Sequence, residues 1–312
     1  MAVSPVTAQH APSRPDRRGL AATITAFLIW GLLPLYLRPL RAVPSLEVMS
    51  HRIVWSCVLV CVWLGVRGGL SDVYRAIAVP STRWRLMLSA TLVSVNWLGF
   101  VWAASMGRVL DASLGYFINP LVNVVLGVLL LSERLSTLRW VAVGLAAAGV
   151  VWLGVAAGSP PWIALLLAFS FGSYGLIRKV IAVEAVVGLA AETCLLLPFA
   201  VSYLVWAQLR GQAALTAGDT FLSLWLMLGG LVTAVPLALF AFGARRIPYS
   251  TVGLIQYLGP TLQFACGVFV FGESFAPRRL VGFGLIWLAL ALFAAEGLVR
   301  RPPAIAALDS EP

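Results

Sequence analysis

The segment Ala112–Leu131, ASLGYFINPLVNVVLGVLLL, contains no charged residue. A helix that crosses the hydrocarbon core of a bilayer needs about 20 predominantly apolar residues, so this segment predicts a transmembrane helix. The segment Thr251–Phe271, TVGLIQYLGPTLQFACGVFVF, is similarly long and also uncharged. At an offset of 140 residues, the two segments align without a gap and Pro120 matches Pro260. Together they predict a helical membrane protein with an internal repeat.

Eight further apolar runs of similar length lie outside these two segments. They are Leu20–Leu37, Leu46–Val66, Trp84–Met106, Leu138–Ala156, Trp162–Ile177, Val186–Trp206, Phe221–Ala244 and Leu280–Val299. Strands of a membrane barrel would instead show segments of about ten residues with alternating hydrophobicity. The sequence therefore predicts an all-α integral membrane protein with ten transmembrane helices. The short links between the runs leave no room for a soluble domain.

The composition supports this class. Apolar residues make up 61% of the chain and charged residues 11%, against roughly 45–50% and about 25% in soluble domains. The formal net charge is +10, but its placement follows the positive-inside rule rather than a nucleic-acid surface. With the N-terminus inside, fifteen of the 22 Lys and Arg residues fall on cytoplasmic segments and six on the far side. We therefore expect both termini in the cytoplasm and no nucleic-acid partner.

The ends of the chain and its cysteines suggest little chemistry. Residues 1–19 are polar and Pro-rich, and we expect a disordered cytoplasmic segment there, followed by an uncleaved first span. Residues 300–312 are expected to form a cytoplasmic tail. All four cysteines fall inside spans without the spacing of a disulfide framework or a zinc site. They are interpreted as packing residues, and no metal or cofactor is expected.

The repeat extends beyond the two opening segments. The offset of 140 also pairs Glu133 with Glu273, and an offset of 141 pairs His51 with Glu192. Each half, residues 20–156 and residues 161–299, holds five spans. An odd number forces the second half to enter the membrane in the opposite orientation, so the repeat is inverted. Inverted repeats are a common plan of transporters that hold substrate near the midplane.

Several motifs resemble a known family. They are Trp30-Gly31, His51–Ser56 (HRIVWS), Asn96-Trp97, Ala112–Asn123 (ASLGYFINPLVN), Tyr174–Lys179 (YGLIRK) and Gln256–Thr261 (QYLGPT). They resemble the RarD group of EamA-type transporters, in the drug/metabolite transporter superfamily. The resemblance runs from Gly19 to about Val299. It implies a ten-helix, inverted-repeat carrier in a bacterial cytoplasmic membrane, and a group name linked to chloramphenicol sensitivity, but no particular substrate.

Ionisable residues inside the bilayer are the first site candidates, because each costs roughly 2.5–3.5 kcal/mol on insertion scales. We hypothesise that His51 and Glu192 face a central cavity. Arg52 would provide positive charge for an anionic group or would pair with Glu192. An ordinary imidazole titrates near neutral pH, so His51 would also allow coupling to protons. The structural alternatives are a static ion pair and a position at the water interface.

Further candidates are polar or aromatic side chains near helix bends and at cavity depth. Asn119 and Asn123 share one helix face with i, i+4 spacing, and a proline frees backbone groups beside them. The alternative for these residues is ordinary hydrogen bonding between helices. The complete set of cavity candidates is His51, Arg52, Trp55, Asn96, Trp97, Tyr116, Asn119, Pro120, Asn123, Tyr174, Glu192, Gln256, Tyr257 and Gln263.

Three classes of function were compared. A secondary carrier for a small organic metabolite or drug-like solute, working by alternating access in the lipid bilayer, fits the repeat and the resemblance. A P-loop is absent, so ATP is not the direct energy source. An intramembrane enzyme is disfavoured, since no His-Glu-x-x-His or Gly-x-Ser-x-Gly motif occurs. A channel-like facilitator or lipid scramblase of the same fold stays open as the alternative.

Overall fold

The computed structural model describes residues 16–131, 136–158, 160–214, 219–244, 246–247 and 255–299. Its helices are α1 (Arg17–Gly31), α2 (Leu33–Leu37), α3 (Ser45–Val66), α4 (Leu70–Ala78), α5 (Pro80–Ser105), α6 (Val109–Leu131), α7 (Thr137–Ala157), α8 (Trp162–Val180), α9 (Ala185–Leu209), α10 (Thr220–Ala244), α11 (Leu258–Ala265) and α12 (Pro277–Val299). A 3₁₀ turn, Arg38–Leu40, follows α2, and a π-helix, Cys266–Val270, follows α11. Residues 1–15 and 300–312 of the predicted terminal segments, and Glu133, lie outside these residues. The prediction of disorder is wrong for residues 17–19, which form the first turn of α1 after the N-cap Asp16.

The prediction of an all-helical membrane protein is confirmed. Within the described residues, seven helical segments are long and apolar enough to cross a bilayer. They are Arg17–Leu40, Ser45–Val66, Pro80–Ser105, Thr137–Ala157, Ala185–Leu209, Thr220–Gly243 and Pro277–Glu296. Two shorter apolar helices cover Trp162–Arg178 and Leu258–Val270. Each of the ten predicted runs overlaps a helical segment, while the number of spans that cross the membrane stays a prediction.

The first predicted span is interrupted. Helix α1 ends at Gly31, and Pro34 lies in the first turn of α2. Proline has no N–H to donate to the carbonyl one turn earlier, which here belongs to Trp30. The Gln263 side chain of α11 donates to that carbonyl through Nε2 at 3.0 Å. The break in the first span is therefore bridged by a side chain from the other half of the sequence.

Helix α4 is an element that the sequence analysis missed. It lies in the link between the second and third predicted spans and packs against α9 and α5. Val73 and Ala76 are its buried residues, three positions apart on one face. Asp72 and Arg75 form an exposed ion pair on the other side. The alternation of these two faces identifies a short amphipathic helix rather than an irregular link.

Packing between the long helices involves defined neighbours. The main pairs are α7 with α12, α6 with α8, α3 with α10, α1 with α10, α3 with α9, α5 with α8, α1 with α11, α6 with α11, α3 with α5 and α5 with α9. Small residues allow close approach, as usual between membrane helices. A Cβ atom at Gly149 of α7 would lie 2.8 Å from the Gly282 carbonyl oxygen of α12. Glycine is therefore needed for the observed distance between these two helices.

Candidate functional site

Arg52 lies at the centre of the polar interior. Arg52 is 3% exposed and lies on the face of α3 that packs against α10. The guanidinium Nε donates to Thr233 Oγ1 at 3.1 Å, and Cζ lies 5.2 Å from the centroid of the Trp97 ring. One terminal nitrogen has no hydrogen-bond partner. Among the described residues, no carboxylate forms an ion pair with Arg52, although a buried cation is normally paired.

Aromatic hydroxyl groups surround this guanidinium. The hydroxyl groups of Tyr36 and Tyr116 are close enough to interact electrostatically with the guanidinium of Arg52. The Tyr116 hydroxyl donates to Asn96 Oδ1 at 2.9 Å, while the Tyr36 hydroxyl donates to the backbone at Trp225. We refer to Tyr36, Arg52, Asn96, Trp97, Tyr116 and Thr233 as the arginine cluster. This cluster combines one buried positive charge with flat aromatic surfaces and oriented hydroxyl groups.

The close contact between α3 and α10 brings the arginine cluster together. A Cβ atom at Gly229 would lie 2.8 Å from the Tyr36 hydroxyl and 2.9 Å from Arg52 Cγ. A Cβ atom at Gly230 would lie 2.6 Å from the carbonyl carbon of Trp55. The Trp55 indole nitrogen is buried and has no hydrogen-bond partner. The two adjacent glycines therefore allow Arg52 to reach α10.

Glu192 belongs to a second cluster, between α5, α8 and α9. Its residue is 1% exposed, and its Oε1 accepts a hydrogen bond from Ser89 Oγ at 2.6 Å. Arg178 NH1 lies 3.7 Å from the same oxygen, and the Tyr174 side chain lies near the carboxylate. We refer to Ser89, Tyr174, Arg178 and Glu192 as the glutamate cluster. The cation beside Glu192 is thus Arg178, not Arg52.

Gly188 makes room for this ion pair. A Cβ atom at position 188 would lie 2.0 Å from Arg178 NH1, so a side chain there would displace the guanidinium. Gly188 precedes Glu192 by one helical turn on α9. The Arg178 side chain can therefore pass along α9 to Glu192 only because position 188 is a glycine.

His51 has a carboxylate neighbour on its own helix. Its Nε2 lies 4.0 Å from Glu47 Oε1, one turn earlier on α3, and both residues are buried. Glu47 Oε1 also accepts from the backbone N–H of Ala214 at 2.6 Å, while Glu47 Oε2 has no partner. No hydrogen bond or ion pair joins His51 to Glu192 in the described part of the chain. The two residues that the repeat alignment matches lie in separate polar groups.

The candidates on α6 and around α11 form a separate region. Asn119 is 6% exposed with an unpartnered Oδ1, Pro120 is buried inside α6, and Asn123 is exposed. Gln256 is half-buried, and Gln263 bonds to α1 as described above. Within the described residues, no hydrogen bond or ion pair links these side chains to Arg52. The sequence left two roles open for these residues, a substrate cavity and hydrogen bonding between helices. The structure shows a hydrogen bond between helices for Gln263.

A mainly aromatic cavity of about 370 Å³ lies in the same region, between α6, α11 and α12. Its lining residues are Phe117, Tyr257, Thr261, Phe264, Trp287 and Leu290. The volume suits a small ligand, but the lining offers few polar groups to orient one. This cavity does not include the arginine cluster. The buried charge of Arg52 and this cavity therefore lie in different parts of the structure.

Some residues of the two clusters, and Glu47 beside His51, are absent from the set of predicted candidates. Glu47 is the second residue of the second predicted run. Its spacing of i, i+4 from His51 is the signal that could have identified it. Thr233 and Ser89 are small hydroxyl residues on other helices. Nothing in their local sequence indicates which charged side chain they contact.

Glu273, matched with Glu133 by the repeat, caps a helix. Its two carboxylate oxygens accept from the backbone N–H groups of Val109 and Leu110 at 2.6 and 2.9 Å, at the first turn of α6. A carboxylate at a helix N-terminus interacts favourably with the helix dipole. Burial nevertheless raises the pKa of Glu273 above its ordinary value. The role is structural, since it fixes the start of α6.

Comparison with known proteins identifies the chain's relatives. The profile of the EamA-like transporter family matches residues 17–155. An uncharacterized transporter of Vibrio cholerae is 43% identical over 92% of this chain and 95% of its own length. Protein RarD of Escherichia coli is 41% identical over 93% and 98%, and Protein RarD of Streptomyces exfoliatus is 41% identical over 91% and 90%. A crystal structure at 20% identity covers 91% of this chain and 98% of its own, with a TM-score of 0.59, which shows a similar fold.

Proposed function

The chain belongs to the RarD-type group of EamA-like membrane transporters, and from this premise we propose that it is a secondary carrier. It moves a small organic solute across a bacterial cytoplasmic membrane by alternating access. The proposal includes ten spans in two inverted five-helix repeats, with both termini in the cytoplasm. The bias of Lys and Arg toward the same side as the termini supports this orientation.

The packing of the helices supports the inverted repeat. The offset of 140–141 residues relates α1, α3, α5, α6 and α7 to α8, α9, α10, α11 and α12. This exchange converts the pair α1 with α10 into α8 with α5, and the pair α3 with α10 into α9 with α5. It likewise converts α1 with α11 into α8 with α6, while α3 with α9 and α7 with α12 map onto themselves. A pseudo-two-fold axis explains why these neighbours occur in matched pairs.

Arg52 is the observation that carries the proposed substrate site. A guanidinium stays charged in proteins, so burial cannot be relieved by loss of a proton. Its lack of a carboxylate partner within the described residues leaves a positive charge to be balanced. An anionic group of the solute, most simply a carboxylate, would supply that balance with two parallel hydrogen bonds. Trp97 and Tyr116 would then contact the body of the solute.

Proton coupling is assigned to the buried acids and His51. Glu192 interacts with Arg178 and with the Ser89 hydroxyl group, while His51 lies beside Glu47. Rearrangement of α9 relative to α8 would separate Glu192 from Arg178, and an unpaired buried carboxylate takes up a proton readily. We propose that this exchange links proton movement to the change of access.

Burial of the clusters favours a carrier over a channel or scramblase. Arg52 and His51 are each 3% exposed, and Glu192 is 1% exposed. A channel in its conducting state would expose such groups along a continuous aqueous path. A carrier instead passes through conformations in which its central groups are closed from both sides. The burial of Arg52, His51 and Glu192 supports this interpretation.

Ligand-dependent thermal stabilisation tests the site. The purified protein is heated with matched pairs of compounds that differ in one charge, such as amino acids and their amides or keto acids and their esters. Nucleosides and amphenicols, which carry no carboxylate, are tested beside them. A ligand that binds only the folded state raises the melting temperature. We expect a carboxylate to stabilise the wild type but not Arg52→Met, and its amide to stabilise neither. Equal stabilisation of both proteins would place the ligand elsewhere.

A further inference from the structure

Three of the four cysteines meet where α3 packs against α9. Cys57 Sγ lies 3.6 Å from Cys194 Sγ and 4.0 Å from Cys61 Sγ, and the Cys61 and Cys194 sulfurs are 3.7 Å apart. All three are free thiols, and Cys57 is buried while the other two are half-buried. Cys57 and Cys61 share a helix face because they are four residues apart, and Cys194 faces them from the second helix.

We propose that Cys57, Cys61 and Cys194 form a binding site for a trivalent thiophilic metalloid, the chemical class of arsenous acid and its antimony counterpart. This proposal replaces the interpretation of these cysteines as packing residues alone. It is independent of the proposed transport function, because it uses only the geometry of the three sulfur atoms and the apolar surroundings in which they lie.

The spacing of the sulfurs suits three-fold coordination. An atom equidistant from all three in their plane would lie about 2.2 Å from each, close to the roughly 2.3 Å of a zinc–sulfur bond. Soft thiolate ligands select soft metals and related elements over hard cations such as Mg²⁺. The helices already hold the sulfurs at bonding positions, so little rearrangement is required.

Charge balance selects a trivalent centre. Three thiolates carry three negative charges, and charge is costly within the apolar interior of a membrane protein. A trivalent centre makes the complex neutral, whereas Zn²⁺ would leave one negative charge and Cu(I) would leave two. Structural zinc also prefers four ligands. Among the Cys, His, Asp and Glu side chains of the described residues, only the three cysteines belong to this group, one fewer than a four-coordinate zinc site needs.

The binding reaction balances without an oxidant. Arsenous acid, As(OH)₃, reacts with three thiols to give As(SR)₃ and three molecules of water. Three As–O bonds break and three As–S bonds form, and each thiol proton leaves with one hydroxide. Arsenic stays trivalent throughout. Written with three thiols and As(OH)₃, both the reactants and the product are neutral.

Intact-protein mass spectrometry tests the site on the purified full-length chain. The reduced protein is incubated with arsenite, and Cys266, a buried cysteine outside the cluster, supplies the matched control. We expect one arsenic per chain with loss of three hydrogens in the wild type and in Cys266→Ser. Cys57→Ser, Cys61→Ser and Cys194→Ser should each lose this three-coordinate adduct.

A measurement on the wild type alone guards against variants that fail to fold. Arsenite should protect Cys57, Cys61 and Cys194 from alkylation, while Cys266 stays as reactive as without arsenite. Equal protection of Cys266, persistence of the adduct in any of the three cluster variants, or no adduct in the wild type would overturn the proposal. Tight binding of Zn²⁺ in place of arsenite would overturn the charge argument.

Discussion

Replacement of Gly230 by alanine should force α3 and α10 apart and destabilise the protein. The added Cβ atom would lie 2.6 Å from the carbonyl carbon and 2.7 Å from the carbonyl oxygen of Trp55. Backbone atoms cannot rotate away as a side chain can. To reach the roughly 3.5 Å of an ordinary carbon–carbon contact, the helices must separate locally by about 0.9 Å.

The separation would also affect the arginine cluster. The 3.1 Å hydrogen bond from Arg52 to Thr233 spans the same interface and would lengthen to about 4 Å, beyond hydrogen-bonding distance. Overpacking of a tight interior costs about 1–3 kcal/mol, and the better helix propensity of alanine returns up to about 1 kcal/mol. Loss of the Arg52–Thr233 hydrogen bond adds about 1 kcal/mol, so we expect Gly230→Ala to lower stability by about 1–3 kcal/mol. At roughly 2–4 °C per kcal/mol, the melting temperature should fall by about 2–12 °C.

Thermal unfolding of the purified protein, followed by tryptophan fluorescence, measures this change. Gly144→Ala on α7 is the matched control, because no atom lies within 4 Å of a Cβ at that position. It should leave the melting temperature unchanged or raise it. If Gly230→Ala, like the control Gly144→Ala, melts at or above the wild-type temperature, then the contact of α3 with α10 is not as close as described.

Three further experiments test the charged groups by thermal unfolding. Arg52→Met should not lower the melting temperature without ligand, because it removes a buried charge and leaves no carboxylate unpaired; a large fall would reveal an anionic partner. Arg178→Met should cost up to about 3–5 kcal/mol because Glu192 loses its cation, and adding Glu192→Gln should restore most of that loss; no restoration would contradict the pairing. Burial, with a contribution from Asp111, raises the pKa of Glu273, so the folded protein binds this proton more tightly than the unfolded chain. Stability should therefore fall as pH rises above about 4.5, and Glu273→Gln should weaken this slope; an unchanged slope would exclude Glu273 as its source.

The apolar helices and the burial of the charged residues within them could be predicted from the sequence because hydropathy is a local property. Arg52 and Glu192 interrupt apolar runs, and both are buried in the structure. Their partners were not predictable in the same way. The contact of Arg178 with Glu192 depends on Gly188, whose importance becomes clear only when α8 and α9 are placed side by side.

Contacts between distant helices explain the other differences. The cysteine at position 194 approaches Cys57 from another helix, and no spacing along the chain indicates this. Pro34 in α2 is a local signal for a break in the first span. The hydrogen bond from Gln263 to the Trp30 carbonyl, which receives no bond from the proline, has no such signal. Local patterns determine where helices begin and end, whereas the site depends on which faces of those helices meet.

Counterflow in proteoliposomes tests the central claim most directly. Vesicles containing the purified protein are loaded with the unlabelled carboxylate that gives the largest thermal stabilisation, and uptake of a trace of the labelled compound is followed. A carrier that alternates access exchanges internal for external solute, so we expect uptake to be faster than in unloaded vesicles, with a transient overshoot that Arg52→Met abolishes. Uptake that rises linearly with concentration and ignores the internal solute would contradict alternating access and indicate a channel.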